Sequence, residues 1–138
     1  MSTPPADPNA AVIEEFRANA GKVGGFFEGM DMVLVHHTGA KSGTERVNPL
    51  AYLPVDDGYA VFASKAGAPD NPAWYYNLLA RPETKIEVGV EQLDVVAHEL
   101  KGEERDRTYA KMSELRPQFA EYEQKTDRVI PVVLLKPV

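Results

Sequence analysis

Six short apolar runs, most of them separated by tight-turn signals, constrain the fold of this 138-residue chain more than any other feature. They are rich in β-branched and aromatic residues, as strands are. They cover residues 32–37, 46–55, 59–64, 84–88, 92–100 and 129–135. No regular alternation of strand and helix appears, which argues against a doubly wound parallel sheet. The pattern predicts a mainly β fold with appended helices, of the α+β class, built on an antiparallel sheet or small barrel of about six strands.

Three or four helices are expected beside the strands. Helical spacing of apolar residues and capping signals predict three of them. These cover residues 10–20, 72–80 and 102–115. Asn71 would cap the second helix and Pro72 would be its first residue, while a further helix can start at Pro117.

One domain is expected, because no linker or internal repeat divides the chain. We predict a disordered lead-in over residues 1–9 and a single domain over residues 10–138, in which residues 10–27 form an N-terminal helix or lid. Pro49 and Pro54 lie inside the second predicted strand and imply an edge, a bulge or a break there.

The composition excludes several classes of protein and site. The formal net charge of -6 argues against nucleic acid as a partner, because such binding depends on neutralising phosphates. The chain has no cysteine, so disulfides and thiolate metal sites are excluded. His36 and His37 are neighbours on a predicted strand and point to opposite faces, so they cannot share a metal, and we expect none. No apolar run is long enough to span a membrane and no signal pattern opens the chain, which favours a cytoplasmic protein.

The turn between the first two strands, residues 38–43, is a candidate anion site. It combines two glycines and two hydroxyls with Lys41, and Arg46 follows shortly after. Glycines permit positive φ, which can aim successive amides at one anion, and cations add charge-assisted hydrogen bonds. Lys65 ends the third strand and, in a meander, falls at the same end of the sheet. An ordinary solvated hairpin is the alternative, and spacing alone favours it.

Two aromatic helical clusters are the other candidates. Trp74 and Asn77 share a face of the second helix, and a flat aromatic beside an amide suits a heteroaromatic ring. Phe119 and Tyr122 share a face of the last helix. Packing in the core is the alternative for both pairs, and the residues alone favour it.

Taken together, these segments resemble the deazaflavin-dependent nitroreductase family of actinobacteria, whose members use the deazaflavin coenzyme F420. The matching blocks follow one another in order over most of the chain. They cover residues 38–43 with Arg46, 48–50, 63–69, 71–78, 100–105, 117–122 and 126–132. Each block alone is a weak signal, and the series is specific.

The resemblance implies a split β-barrel of the FMN-binding type, in agreement with the six-strand pattern. It also implies a cofactor site made by the turn, the end of the third strand and the start of the second helix. The implied cofactor-binding residues are Lys41, Ser42, Arg46, Val47, Asn48, Pro49, Ser64, Lys65, Ala66, Gly67, Ala73, Trp74 and Asn77. Phe119 and Tyr122 would form the wall of the substrate pocket. Ser64 matches the family position whose hydroxyl can stabilise an oxyanion, so it is the implied catalytic residue.

The reaction implied by the resemblance is hydride transfer from C5 of reduced F420 to an electron-poor acceptor. The candidate acceptors are α,β-unsaturated lactones or ketones, quinones and nitroaromatics. Ala51, Arg116 and Phe119 stand where the family's best-known nitroreductases carry tyrosine, and Tyr122 remains as the hydroxyl of that set. This departure favours flat, apolar enones over nitroimidazoles.

Alternatives stay open at the level of the sequence. A non-catalytic F420 carrier or storage protein would need the same binding residues, and an FMN-binding split barrel would share the fold. The N-terminal helix can serve as a lid or as a peripheral membrane contact, through Val12, Ile13 and Phe16 together with Phe26 and Phe27. Split barrels occur as monomers and as dimers, so the oligomeric state is left undecided.

Overall fold

The helices and strands largely follow the turn and capping signals of the sequence. A computed structural model describes residues 8–24 and 29–138. Its strands are β1 (Met32–Thr38), β2 (Glu45–Val55), β3 (Gly58–Phe62), β4 (Glu83–Val88), β5 (Glu91–Leu100) and β6 (Val132–Pro137). Its helices are α1 (Pro8–Ala18), α2 (Ala73–Ala80), α3 (Gly102–Leu115) and α4 (Gln118–Lys125), with a 3-10 turn over Lys65–Gly67.

The six strands close into one antiparallel barrel, which confirms the predicted fold class. Their order around the barrel is β1, β2, β3, β6, β5, β4, and the ring closes where β4 pairs with β1. In β1, Val33 and Val35 join the interior cluster, while Met32 and Leu34 cluster with Phe16 of α1 on the outside. This alternation follows from the two-residue period of a strand, and it gives both sides of β1 an apolar partner.

β2 accommodates both of its prolines without a break. Its first part, through Ala51, pairs with β1, and its last part, from Tyr52, pairs with β3. The amide of Tyr52 donates to Asp31 O on the β1 side, 2.9 Å away. Because strand amides alternate in direction, the nitrogen of Pro54 faces this same side and that of Pro49 faces the other. Each proline therefore lacks its donor where β2 has no partner, so of the predicted alternatives a local edge is the one that occurs.

The start of the last strand was predicted too early. β6 begins at Val132 and not at residue 129. The carbonyl of Ile130 accepts two hydrogen bonds from the guanidinium of Arg105, at 3.1 and 2.9 Å. A backbone group held by a side chain in this way is not available to a strand ladder, so the strand starts after it.

The predicted cap of α2 is wrong. Pro72 stands at the N-cap position with no side-chain cap, and Asn71 Oδ1 instead accepts a hydrogen bond from Arg128 at 2.7 Å. At the N-terminus, α1 begins at Pro8, inside the predicted lead-in. Residues 1–7 of that lead-in and residues 25–28 of the predicted lid, Phe26 and Phe27 among them, lie outside the described residues.

One end of the barrel gathers the segments that carry the candidate site. Thr38 pairs with Glu45 at this end, and Val132 pairs there with both Phe62 and Leu100. The turn between β1 and β2, the segment after β3 and helix α2 therefore lie near one another. Three buried side chains of α2 join the interior cluster, namely Trp74, Tyr75 and Leu78. The predicted meander geometry, with the turn and the end of β3 at one end, is confirmed.

The helices cover the outside of the barrel. Tyr109, Met112 and Phe119 of α3 and α4 form a second apolar cluster with residues of β3 and β6. Val12 and Ile13 pack in the third cluster beside the buried Phe16, so the apolar side of α1 is turned toward the barrel. None of the described helices is long and apolar enough to cross a membrane.

Candidate functional site

The turn between β1 and β2 is closed by backbone hydrogen bonds and leaves its cations exposed. Gly39 N donates to Thr44 O at 2.8 Å, and Gly43 N donates to Gly39 O at 2.9 Å. Gly43 has a φ of +71°, a conformation that favours glycine. Lys41 and Arg46 are exposed, and neither makes an ion pair within the described residues. This end of an acidic protein therefore offers two cations to an anion.

A chain of hydrogen bonds, which runs from the exposed Ala40 to the buried ring of His37, ties this turn to α2. Ala40 N donates to Asn77 Oδ1 at 2.9 Å, and Asn77 Nδ2 lies 3.0 Å from His37 Nδ1. On the other side of the ring, His37 Nε2 lies 2.7 Å from Asn48 Oδ1. Since Asn48 Oδ1 can only accept, the proton of a neutral ring belongs on Nε2, and Nδ1 then accepts from Asn77. The relay fixes the turn relative to the helix.

His37 is kept neutral by its surroundings. Its side chain is 4% exposed, and this burial lowers its pKa below the ordinary value, with the nearby Arg46 and His36 acting in the same direction. The hydrogen bond to Asn48 acts the other way. The residue types alone give His37 no role beyond the excluded metal site. A usable signal was present, because His37 and Asn48 are diagonal neighbours on one face of the β1–β2 hairpin.

The segment after β3 presents Ser64 and Lys65. Ser64 is half-buried, and its hydroxyl makes no hydrogen bond to the described residues. Lys65 has a φ of +45°, unusual for a residue with a side chain, and its Nζ lies 2.9 Å from Asp70 Oδ2 in a pair open to solvent. That ion pair lowers the pKa of Asp70. A pair so exposed is weak, so Lys65 can exchange Asp70 for another anion.

Gly67 lets this segment lie directly on α4. It has a φ of +82°, and a Cβ placed on it would lie 2.8 Å from Lys125 Cβ and 3.0 Å from Tyr122 O. Only a residue without a side chain permits so close an approach. The predicted cofactor residues Lys65 to Gly67 and the predicted substrate wall are therefore neighbours in the fold.

The predicted aromatic residues divide into buried and accessible ones. Trp74 is 4% exposed and Asn77 is 8% exposed, so both are part of the packed end of the barrel, with Ala73 exposed at the start of their helix. Phe119 is also buried, and the ring of Tyr122 stands perpendicular to it, 5.3 Å away. Burial raises the pKa of Tyr122, which remains partly exposed. Trp74 and Phe119 therefore pack beneath the surface of the site, and of these aromatic side chains Tyr122 is the one that stays partly exposed.

Two of the three positions at which the resemblance implied tyrosine, Ala51 and Arg116, meet in one cleft, and the third, Phe119, does not line it. Ala51 of β2 and Arg116 at the end of α3 both line a cleft of about 340 Å³ together with Met112 and Leu115. Arg116 donates a hydrogen bond to the carbonyl of Gly29.

The remaining predicted residues of β2 point in two directions. Arg46 and Asn48 share the face of His37, whereas Val47 and Pro49 lie on the opposite face.

The sequence relationship decides which class of protein carries this site. The family model described as F420H(2)-dependent quinone reductase matches residues 10–137. The chain belongs to the F420H(2)-dependent quinone reductase family. It is therefore an oxidoreductase that uses coenzyme F420, as its resemblance to deazaflavin-dependent enzymes implied.

Several members and neighbours of this family are similar to the chain. An F420H(2)-dependent quinone reductase of Mycobacterium tuberculosis is 34% identical over 126 residues, which is 87% of this chain and 83% of that protein. A second protein of the same organism, described as a putative F420H(2)-dependent quinone reductase, is 34% identical over 113 residues, covering 82% and 95% of the two chains. The solved F420-H2 dependent reductase FDR-A is 43% identical with a TM-score of 0.70, covering 77% of this chain and 94% of its own.

A more distant structure indicates how widely the fold is used. The haem storage protein HutZ of Vibrio cholerae has a TM-score of 0.62 at 18% identity, with 94% of this chain and 90% of that chain covered. At this identity the similarity concerns the barrel alone. The described residues of this quinone reductase family member contain no cluster of three or more potential metal ligands.

The donor set of the site fits the F420 cofactor of the family. F420 carries a phosphate and an oligoglutamate tail, both anionic, and the exposed Lys41 and Arg46 have no internal partner among the described residues to compete with them. Ser64, whose hydroxyl has no hydrogen bond to the described residues, and the adjacent Lys65 lie at the same end of the barrel. This end therefore offers cations and a hydroxyl beside the buried apolar side chains of α2.

Proposed function

We propose that this protein reduces quinones with reduced F420, and that Lys41 and Arg46 bind the anionic part of the cofactor while the segment beginning at Ser64 lines its ring. The observation that carries the proposal is a pair of exposed cations in a chain of net charge -6. Lys41 lies on the β1–β2 turn, which is hydrogen-bonded to Asn77, and Arg46 lies at the start of β2; neither makes an ion pair within the described residues. The match to the quinone reductase family over residues 10–137 supports a quinone as the acceptor.

The protein's own groups have limited tasks in this reaction. When bound, reduced F420 supplies the hydride, so the chain has to orient the two rings and exclude water. A quinone that accepts a hydride becomes a hydroquinone anion, which then takes up a proton. The hydroxyl of Ser64 has no other hydrogen-bond partner among the described residues and can donate to the oxygen on which this charge develops. Tyr122, whose backbone carbonyl lies against Gly67 and whose side chain is partly exposed, offers a second hydroxyl on α4.

A panel of acceptors tests the activity. Reduced F420 is incubated with the protein and a quinone, an α,β-unsaturated lactone, a cyclic enone or a nitroimidazole, and reoxidation is followed by the return of cofactor fluorescence. We expect the quinone to be reduced fastest, with enones slower and the nitroimidazole slowest. Tight F420 binding without reoxidation by any acceptor would identify a carrier protein instead. Binding of FMN in place of F420 would identify the third class.

The two turn cations are tested together. Replacing Lys41 and Arg46 with alanine should weaken F420 binding by about 5- to 30-fold, or about 1–2 kcal/mol, since both cations are exposed and partly screened. Affinity in the parent protein should also fall with added salt, and this dependence should weaken in the variant. Arg107 and Lys111 on α3 form a matched exposed pair whose replacement should leave the affinity unchanged. An equal loss in both variants would disprove the anion site.

The hydroxyl of Ser64 is tested separately from binding. Ser64→Ala should lower kcat for the quinone by about 10- to 100-fold, because a donor aimed at a developing oxyanion acts mainly in the transition state. F420 affinity should stay within about twofold of the parent value. Unchanged kcat would remove Ser64 from the reaction, and a matching loss of affinity would make it a binding residue.

A further inference from the structure

Arg128 donates four hydrogen bonds to the segment around Ser64, residues 63–71, and no role described above accounts for them. Its Nη1 donates to Ala63 O at 3.0 Å and to Asn71 Oδ1 at 2.7 Å. Its Nη2 donates to Ser64 O at 2.9 Å, and its Nε donates to Ala68 O at 2.9 Å. A single guanidinium is therefore hydrogen-bonded to both ends and the middle of residues 63–71.

These contacts stabilise a backbone conformation that is unfavourable by itself. Three backbone carbonyls point toward one place, where their partial negative charges would repel one another without a cation between them. Between them, Lys65 takes a positive φ of +45°, which is uncommon for a residue with a side chain. Such backbone persists only where the surroundings fix it, and Arg128 supplies four hydrogen bonds around it.

Arg128 also connects this segment to the opposite wall of the site. It lies between α4 and β6, where its own amide is bonded to Thr126 Oγ1 at 3.3 Å. On its other side the same segment rests on α4, with Gly67 against Lys125 and the carbonyl of Tyr122. The position of Ser64 relative to Tyr122 thus depends on a guanidinium that does not belong to either of them.

We propose that Arg128 is a positioning residue for the reductase reaction: it holds Ser64 and Lys65 in the conformation in which they face cofactor and acceptor. This inference rests on the proposed function. Arg128 acts through the backbone of its neighbours, so its loss should change the placement of the Ser64 hydroxyl more than the stability of the barrel. The planar fork of arginine is required, because lysine cannot reach four acceptors in one plane.

The chain contains a matched arginine with a different task. Arg105 is buried, donates twice to Ile130 O, and lies 4.6 Å above the ring of Tyr109. It therefore fastens α3 to Ile130, which stands two residues after Arg128 and just before β6, but it has no hydrogen bond to residues 63–71 in the described part of the chain. A variant of Arg105 controls for loss of packing alone.

The test uses full-length Arg128→Lys, Arg128→Ala and Arg105→Lys proteins. Amide hydrogen exchange is measured at Gly67 and Ala68, whose amides donate to Ser64 O and Lys65 O within the 3-10 turn. In Arg128→Lys we expect exchange at these two amides to accelerate at least tenfold while the strand amides keep their protection. Arg105→Lys should leave the 3-10 turn protected. Unchanged exchange at Gly67 and Ala68 in the Arg128 variants would overturn the proposal, whatever the activity.

Kinetics supply the second readout. In Arg128→Lys, kcat for the quinone should fall about 10- to 100-fold with F420 affinity changed less than threefold, and added guanidinium should restore part of kcat to Arg128→Ala. Guanidinium should have no effect on Ser64→Ala. If kcat falls equally in the Arg128 and Arg105 variants without rescue, Arg128 is merely structural and the proposal fails. If the parent protein reduces no quinone, the proposed function fails, and hydrogen exchange alone decides whether Arg128 holds the segment.

Discussion

The buried relay from Ala40 through Asn77 to His37 makes a quantitative prediction about stability. The substitution Asn77→Leu keeps the approximate size of the side chain, so it should leave little cavity, but it removes one acceptor and one donor at once. His37 Nδ1 then has no donor, in a ring that is 4% exposed. The amide of Ala40 loses its acceptor as well, although Ala40 is exposed and water can replace that bond.

The two losses can be given magnitudes. An unsatisfied buried polar group costs about 1–3 kcal/mol, and the exposed amide adds at most about 0.5 kcal/mol. Asn77→Leu should therefore destabilise the protein by about 1–3.5 kcal/mol, which lowers the folding equilibrium constant by roughly 5- to 400-fold. The substitution His37→Leu leaves Asn77 Nδ2 and Asn48 Oδ1 without their partner and should cost a similar amount.

Urea unfolding measures these costs, with the fluorescence of Trp74 as the signal. Trp74 is the only tryptophan of the chain and is buried in α2, three residues before Asn77. Because the two single variants remove the same hydrogen bond, the double variant should be about 1–2 kcal/mol more stable than the sum of the separate losses predicts. Additive losses, within about 0.5 kcal/mol, would refute the relay as a coupled unit.

Two further predictions follow from the same end of the barrel. The pKa of His37 is lowered by burial, so below pH 6.5, its ordinary value, the unfolded chain takes up a proton that the folded chain resists. The free energy of unfolding should therefore fall as the pH drops below 6.5, with a shallower slope in His37→Leu. Urea titrations at each pH measure this, and equal slopes in the two proteins would contradict it. Gly67→Ala should destabilise the protein by about 2–4 kcal/mol, because it adds a contact with α4 to an unfavourable φ. Gly102→Ala has the same sign of φ and open space around its Cβ, so thermal unfolding should show a loss of only about 1–2 kcal/mol, and similar losses for both variants would mean that the contact with α4 has no effect.

The sequence predicts the barrel well because its determinants are local. Turn residues such as Gly58 and the alternation in β1 act over a few positions, so six strands and their antiparallel hairpins follow from neighbouring residues. The start of β6 and the cap of α2 depend on Arg105 and Arg128, which reach their acceptors from 25 and 57 positions away. Such contacts leave no periodic trace in the sequence.

The residues of the candidate site likewise divide into those that local sequence indicates and those that depend on distant contacts. The exposed cations of the turn are visible in the sequence as charges beside glycines, and the structure leaves them exposed. Trp74 and Asn77 have the residue types of a ring-binding pair, yet the fold buries both of them. His37 takes its hydrogen-bond partners from β2 and α2. The hairpin register indicates the first of them, Asn48, but nothing in β1 indicates Asn77.

The two prolines of β2 also protect the alignment of the barrel. If β2 slid along β1, the ladder on the β1 side would have to extend past Tyr52, where Pro54 has no amide to offer. If β2 slid along β3, the ladder on the β3 side would have to extend to residues before Tyr52, where Pro49 cannot donate. A slip that lengthens either ladder therefore meets a missing hydrogen bond within a few residues. The two prolines thus favour the observed point, between Ala51 and Tyr52, at which β2 exchanges one neighbouring strand for the other.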